Sequence, residues 1–209
     1  MAKFVFNGKS YNYFKHWYNE TWKNDRAIEI PISFEVIKKY ENILEVGNVL
    51  SPYKTFKHDI IDLYEKDIGV INEDIRTFKT DKKYDLIISI STLEHIDEND
   101  GKGEKGILDA FDNMRSLLTP KGNIFITFPI GAHVDLDNLF RNNKLGLKET
   151  YVMCRDLEDD DKYQRNIWEQ CGVSDIHSFS SHVVGYELVS KGYVMTVGSQ
   201  TWYLIIGKI

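Results

Sequence analysis

Four short apolar runs in this 209-residue chain end in groups able to meet a ligand. Ile43-Leu44-Glu45-Val46-Gly47 ends in a carboxylate and a glycine. His58 to Asp62 and Gly69 to Ile75 carry Asp62 and Asp74 at their far ends, and Tyr84 to Ile90 leads into Ser91-Thr92-Leu93-Glu94-His95. An ionised carboxylate only accepts hydrogen bonds, which suits it to hydroxyl and amino groups. A glycine lets the backbone approach a ligand closely. His95 follows the fourth run and His133 follows a fifth, Asn123 to Phe128, and histidine exchanges a proton near neutral pH. In open α/β sheets, ligands bind beyond the carboxyl ends of the strands, so these groups would share one crevice. Taken singly, each is also what an ordinary strand end, turn or helix cap looks like.

The apolar runs alternate with helical or short connecting segments over residues 42–128, which predicts a parallel sheet with right-handed crossovers and an α/β class. Tyr84 to Ile90 is the clearest strand, apolar and β-branched as a strand covered on both faces should be. Ser51-Pro52 and the residues to Lys57 leave room for one or two helical turns in the first crossover. Ile107, Leu108, Phe111, Met114 and Leu118 follow a helical period that Thr119-Pro120-Lys121-Gly122 should stop. Further on, Val134 to Asn142 reads as a helix, Glu149 to Arg155 as a strand, and Tyr193 to Ile209 as a strand or hairpin closing the sheet.

Ahead of the sheet, Tyr11, Phe14, Tyr18 and Trp22 recur at three or four residues and predict one face of a helix from Ser10 to Trp22. It would either dock on the core or act as a lid with His16. Asn24 or Asp25 could cap a short helix, with Pro31 starting another segment that runs to Tyr40.

The net charge of −6 disfavours a broad nucleic-acid or anionic-membrane footprint and turns attention to small molecules. No stretch approaches the roughly 20 apolar residues of a membrane span, and the first residues lack a signal-peptide pattern, so the cytoplasm is the expected compartment. Cys154 and Cys171 read as thiols rather than a disulfide or metal pair. Five carboxylates within Asp156 to Asp161 read as a solvated surface segment.

Leu44-Glu45-Val46-Gly47, Asp62, Asp74, the run Tyr84 to Ser89 with Leu93-Glu94-His95-Ile96, and Leu117 to Gly122 stand in a telling order. Over residues 41–133 the chain resembles the class I S-adenosylmethionine-dependent methyltransferases. The resemblance implies a Rossmann-like three-layer sandwich around a mostly parallel sheet of seven strands. It would span residues 41–209 and follow an N-terminal helical segment or lid over residues 1–40. It also implies S-adenosyl-L-methionine as cofactor and a small-molecule or glycan-precursor substrate, methylated on oxygen or nitrogen.

Residue by residue, the resemblance implies that Glu45 anchors the amino-acid end of the cofactor and that Gly47 gives the backbone access to it. Asp62 would accept from the ribose hydroxyls, with Asp59 as rival and a helix cap as its ordinary alternative. Asp74 would accept from the adenine amino group while Ile75 packs on the ring, and Ser91 and Thr92 would line the sulfonium region. His95 and His133 are the candidate catalytic bases.

The pattern departs from the family where a second glycine is usual: Gly47 is followed by Asn48, Val49 and Leu50. Asn48 tolerates left-handed backbone and is the expected substitute. That departure leaves open a degenerate cofactor-binding scaffold that no longer catalyses transfer. Glu94-His95 resembles a metal pair in some relatives, but Ser91 stands where a further acid is needed, so no metal is expected. A nicotinamide enzyme would need a glycine-rich turn that Gly47-Asn48-Val49-Leu50 does not supply.

Overall fold

The computed structural model describes residues 3–97, 103–156, 168–171, 183–189, 192–197 and 201–209. In chain order the elements are β1 (Lys3–Phe6), β2 (Lys9–Asn12), α1 (Arg26–Ile37), β3 (Ile43–Val46), β4 (Asp59–Ile61), β5 (Val70–Ile71) and β6 (Tyr84–Ile90). Then come α2 (Glu104–Leu117), β7 (Leu118–Pro129), α3 (Val134–Arg141), β8 (Glu149–Asp156), β9 (Trp168–Cys171), β10 (Val183–Val189), β11 (Gly192–Val197) and β12 (Thr201–Lys208).

Eight strands form the main sheet in the order β5-β4-β3-β6-β7-β12-β8-β9. The five from β5 to β7 are parallel. β12 enters antiparallel between β7 and β8, and β9 adds antiparallel to β8. The expected count of seven is therefore corrected to eight, and β12 lies inside the sheet rather than closing its edge. Among the described residues, β10 and β11 pair only with each other.

Side chains alternate between the two faces of the central strands and create two cores. Leu44, Ile87, Ile124 and Ile126 face Phe111 and Met114 of α2 and Leu136 and Leu139 of α3. Ile43, Leu86, Ile88 and Phe125 face Ile28, Ile30 and Ile32 of α1 and Phe4 and Phe6 of β1. The result is the three-layer arrangement expected of a sheet covered on both sides.

The order turns back at β3: β4 and β5 extend to one side of it and β6 and β7 to the other, which makes the gap between β3 and β6 a topological switch point. No helix lies in the connections 47–58, 62–69 and 72–83; helical crossovers come later, as α2 between β6 and β7 and α3 between β7 and β8. The first three connections are therefore loops, and they stand at the carboxyl ends of the strands.

The front of the chain corrects two expectations. Residues 9–12 are a strand, not part of a helix over Ser10 to Trp22, and a 3-10 segment occupies only Tyr18–Lys23. Tyr11 instead stacks on Phe4 at 5.4 Å, while Trp17 and Trp22 meet edge to face at 4.9 Å. Pro31 lies inside α1 rather than starting a new segment. A proline cannot donate to the carbonyl four residues earlier. That carbonyl, Ala27 O, accepts from Phe14 N at 2.8 Å instead, tying the incoming chain to the helix.

Candidate functional site

A cavity of about 470 Å³ opens at the switch point. It is walled by the ends of four parallel strands and by Arg26 of α1. Gly47, Asn48, Asp62, Asp74, Ile75, Ser91, Thr92 and His95 all line it. Eight of the ten residues singled out in the sequence are thus brought together, while Glu45 and His133 are outside the lining.

Glu45 is wholly buried and shapes the first loop from beneath. Its Oε1 accepts from Val49 N at 2.9 Å and Leu50 N at 2.8 Å, and its Oε2 lies 2.7 Å from His58 Nε2. This is how a glycine-poor loop keeps its course: the carboxylate satisfies two backbone donors at the turn. Gly47 is left-handed at φ +85°, and an added Cβ would lie 2.6 Å from Thr92 Cγ2. The close approach at Gly47 is therefore to Thr92. Asn48 does not have the positive φ expected of a glycine substitute. Its side-chain Nδ2 donates to Glu65 at 2.8 Å, and its Oδ1 is buried without a partner.

Asp62 accepts from Tyr64 N and Glu65 N on Oδ1, both at 2.8 Å, and from Asn48 N on Oδ2 at 3.2 Å. Three of the roughly four acceptor positions of a carboxylate are filled. The position left on Oδ2 suits one hydroxyl rather than the two expected. Asp59 is removed as a rival: it begins β4 and binds Lys82 at 2.8 Å and the Tyr84 hydroxyl at 2.9 Å. Asp74 is held by Arg76, whose Nε is 2.8 Å and NH2 2.6 Å from Oδ2, and Arg76 also pairs with Asp97. Asp74 can meet an adenine amino group only if Arg76 gives way.

The least expected part of the site is a buried ion pair from α1. Glu29 has no exposed surface. Its Oε2 binds Arg26 NH1 at 2.7 Å, and its Oε1 accepts from Ser91 Oγ at 2.6 Å and Thr127 Oγ1 at 2.5 Å. Arg26 NH1 in turn donates to Ile90 O at 3.2 Å. Ser91 has φ +38°, a costly conformation for a residue with a Cβ, and it persists because its surroundings hold it. Its N–H donates to Thr127 and its hydroxyl to Glu29. The ion pair therefore positions the strained end of β6.

Two more acids crowd Arg26. Burial, and then the Glu29 charge, push Asp25 up to about 7 against the opposing pull of Arg26. Burial drives Glu94 well above the ordinary carboxylate range, and its Oε2 has no partner.

His95 is exposed and lines the cavity with Ser91 and Thr92. His133 caps α3, with Nδ1 accepting from Leu136 N at 3.3 Å, which makes it a helix cap in this structure. No group of three or more metal-ligating side chains occurs among the described residues. Cys154 and Cys171 form no disulfide, and all of the acidic stretch beyond Asp156 lies outside the described residues.

Below His133, Asp137 is almost wholly buried and accepts from Gly131 N at 2.9 Å, holding the turn after β7. Burial pushes it up to about 7, against the Gly131 N–H and Arg141. In the unfolded chain it ionises near pH 4, so between about pH 4 and pH 7 the folded state holds the extra proton. Its contribution to stability is full below that window and is lost as pH rises through it. Asp137→Asn should flatten this dependence by roughly 1–3 kcal/mol between pH 5 and pH 8 in urea unfolding. An unchanged slope would mean that the burial of Asp137 does not govern it.

The fold and the cavity define a Rossmann-like, doubly wound α/β protein with a crevice at its switch point. Among curated proteins, the chain is similar to malonyl-[acyl-carrier protein] O-methyltransferase 2 of Ilyobacter polytropus. It is 27% identical over 164 residues, covering 66% of this chain and 60% of that protein. The chain thus spans about 60% of the length of that relative. No protein-family model matches. Similar solved structures include a possible histamine N-methyltransferase from Thermotoga maritima, at TM-score 0.44 and 11% identity over 85% of this chain and 86% of that one. Another is a putative methyltransferase from Thermoplasma acidophilum, at TM-score 0.42 and 15% identity over 99% and 79%.

Proposed function

We propose that the protein transfers a methyl group from S-adenosyl-L-methionine to a small-molecule or sugar-containing acceptor, on oxygen or nitrogen. The observation that carries this reading is the convergence of Gly47, Asp62, Asp74 and Ser91, from four successive parallel strands, on one cavity at the switch point. The open acceptor position on Asp62 fits a ligand rich in hydroxyl donors. The curated relative, an O-methyltransferase, adds weight to this reading. A glycan precursor is an acceptor of this kind, the net charge of −6 argues against nucleic acid, and the cytoplasm is the compartment this reading implies. No helix among the described residues is long and apolar enough to cross a membrane.

The donor supplies a methyl group already activated on a sulfonium. The chain therefore has to orient, exclude water and manage a proton. Asp62 and the 47–50 loop would hold the nucleoside end, and Ser91, Thr92 and Arg26 the other. His95, which lines the cavity, would take a proton from a hydroxyl or ammonium acceptor. His133 would take that role only if it left its cap.

The test is release of S-adenosylhomocysteine from donor carrying a labelled methyl, across hydroxyl, amine and carboxylate acceptors. On the acceptor that turns over, His95→Gln should lower turnover about 100-fold while leaving donor affinity unchanged. Unchanged turnover would remove His95 from the chemistry. A donor-binding scaffold without transfer is the second reading, motivated by the glycine-poor run Asn48-Val49-Leu50 after Gly47. It is distinguished by tight S-adenosylhomocysteine binding with no turnover on any acceptor.

A further inference from the structure

A second cavity, of about 250 Å³, lies at the other end of the sheet, where β6 and β7 begin and β12 ends. The tip of the β1–β2 hairpin and the last turn of α1 cover it. Its floor is apolar: Ile32, Leu86 and Ile206 there are at most 1% exposed. Its walls are rings. Phe6 meets Tyr151 edge-on at 5.1 Å and Tyr11 at 6.3 Å, with Tyr40 and Phe125 completing the lining.

The rim carries charge of an unexpected sign. Three lysines, Lys9, Lys39 and Lys208, stand against Glu35 and Glu149, in a chain of net charge −6. Glu35 is already shared by Lys9, at 2.6 Å, and Lys38, and Glu149 lies 3.4 Å from Lys208. Both rim carboxylates are thus neutralised, and among the described residues Lys39 has no ion-pair partner. An apolar, ring-walled pocket under a positive rim is complementary to a flat apolar body with an anionic head. The volume, just below the range of drug-sized pockets of about 300–1,000 Å³, limits that body to one or two fused rings. Aromatic walls favour an aromatic guest over an aliphatic one of the same area.

We propose that this cavity is a second binding site, for a small planar aromatic carboxylate, separate from the switch-point crevice. The guest's ring would lie against the partly exposed rings of Tyr11, Tyr40 and Tyr151, above the buried Leu86 and Ile206, and its carboxylate would meet Lys39 at the rim. The site draws on no residue of the switch-point cavity and stands independently of the methyl-transfer reading.

Calorimetric titration of the full chain with indole-3-acetate, and with the uncharged indole-3-ethanol, tests it, each with and without saturating S-adenosylhomocysteine. The expected result is a submillimolar Kd for the acid, at least about tenfold weaker binding of the alcohol, and no effect of S-adenosylhomocysteine. Lys39→Glu, on an exposed side chain that no described fold contact requires, should weaken the acid about fivefold or more and leave the alcohol unchanged. Four outcomes overturn the proposal. They are no binding of the acid up to about 5 mM, equal affinity for acid and alcohol, indifference to Lys39→Glu, and displacement by S-adenosylhomocysteine, which would put the probe in the other cavity.

Discussion

Glu29→Ala is expected to cost about 3–5 kcal/mol of folding stability, because it strands a charge that the fold keeps out of water. Glu29 is wholly buried and the Arg26 side chain is 14% exposed. Removing the carboxylate leaves the guanidinium beside Asp25 and Glu94, whose carboxyls are raised toward the protonated form and replace little of the lost charge. It also takes the acceptor from the Ser91 and Thr127 hydroxyls, at 2.6 and 2.5 Å. Glu29→Gln keeps an oxygen for those hydroxyls but sets an amide against Arg26, and should lose roughly half as much. Urea unfolding at pH 7.5 reads the difference. A loss under about 1 kcal/mol for the alanine variant would mean the pair is not buried as described. Since the Ser91 hydroxyl is held by Glu29, the alanine variant should weaken donor binding even where it stays folded, and the glutamine variant less so.

Gly47→Ala should reduce S-adenosylhomocysteine affinity about 100-fold, roughly 2.7 kcal/mol. Two costs combine there. The backbone stands at φ +85°, and the new methyl would overlap Thr92 Oγ1 and come within 2.6 Å of Cγ2 and 2.9 Å of Cβ. The loop cannot move away cheaply, because Gly47 N donates to Ile61 O at 2.8 Å while Glu45 holds Val49 and Leu50. Adding Thr92→Gly should recover part of the affinity by removing the overlap but not the backbone strain. Affinity within twofold of the native protein for Gly47→Ala would refute the fixed course of this loop.

The parallel core was legible because its strands are apolar on both faces and end in distinctive residues. Tyr84 to Ile90 was read with the bounds the structure has. α3 and β8 were also read to within about a residue, their periods being unbroken. The hairpin at the front was missed although its turn is written plainly. Asn7 and Gly8, at φ 46° and 72°, form the two-residue left-handed turn that an Asn-Gly pair favours between alternating segments. The aromatic residues from Tyr11 onward masked it, because bulky side chains filling a hairpin, a loop and a 3-10 segment happened to fall at helical intervals. β5 proved shorter than its apolar pattern: Asn72 turns back to Asp62 O at 3.0 Å, and Asp74 O already accepts from Thr77 and Phe78.

The site was legible in part for the same reason. Groups at strand ends converge whenever the sheet is parallel, so Asp62, Asp74, Ser91 and Thr92 could be placed without knowing their partners. Their hydrogen bonds could not. Glu29 meets Ser91 and Thr127 across 62 and 98 residues of chain, which no local pattern records. One trace did exist: Glu29 stands between Ile28 and Ile30 in an otherwise apolar stretch, and a charge so placed is either exposed by a turn or paired in the core. His133 shows a second role that local sequence does not reveal. Its place after a strand suggested chemistry, and the folded chain uses it to start a helix.

The central claim is that the switch-point crevice holds S-adenosylmethionine and its product through Asp62. Calorimetric titration of S-adenosylhomocysteine into the native protein and into Asp62→Asn tests it most directly. The amide oxygen can still accept from Tyr64 N and Glu65 N, so the 62–65 turn keeps its bonds, while the charged oxygen that faces the cavity and accepts from Asn48 N is lost. One site with a Kd in the micromolar range, weakened about tenfold or more by Asp62→Asn, is the predicted result. No binding to the native protein at high micromolar concentration, or equal binding by both proteins, would contradict it.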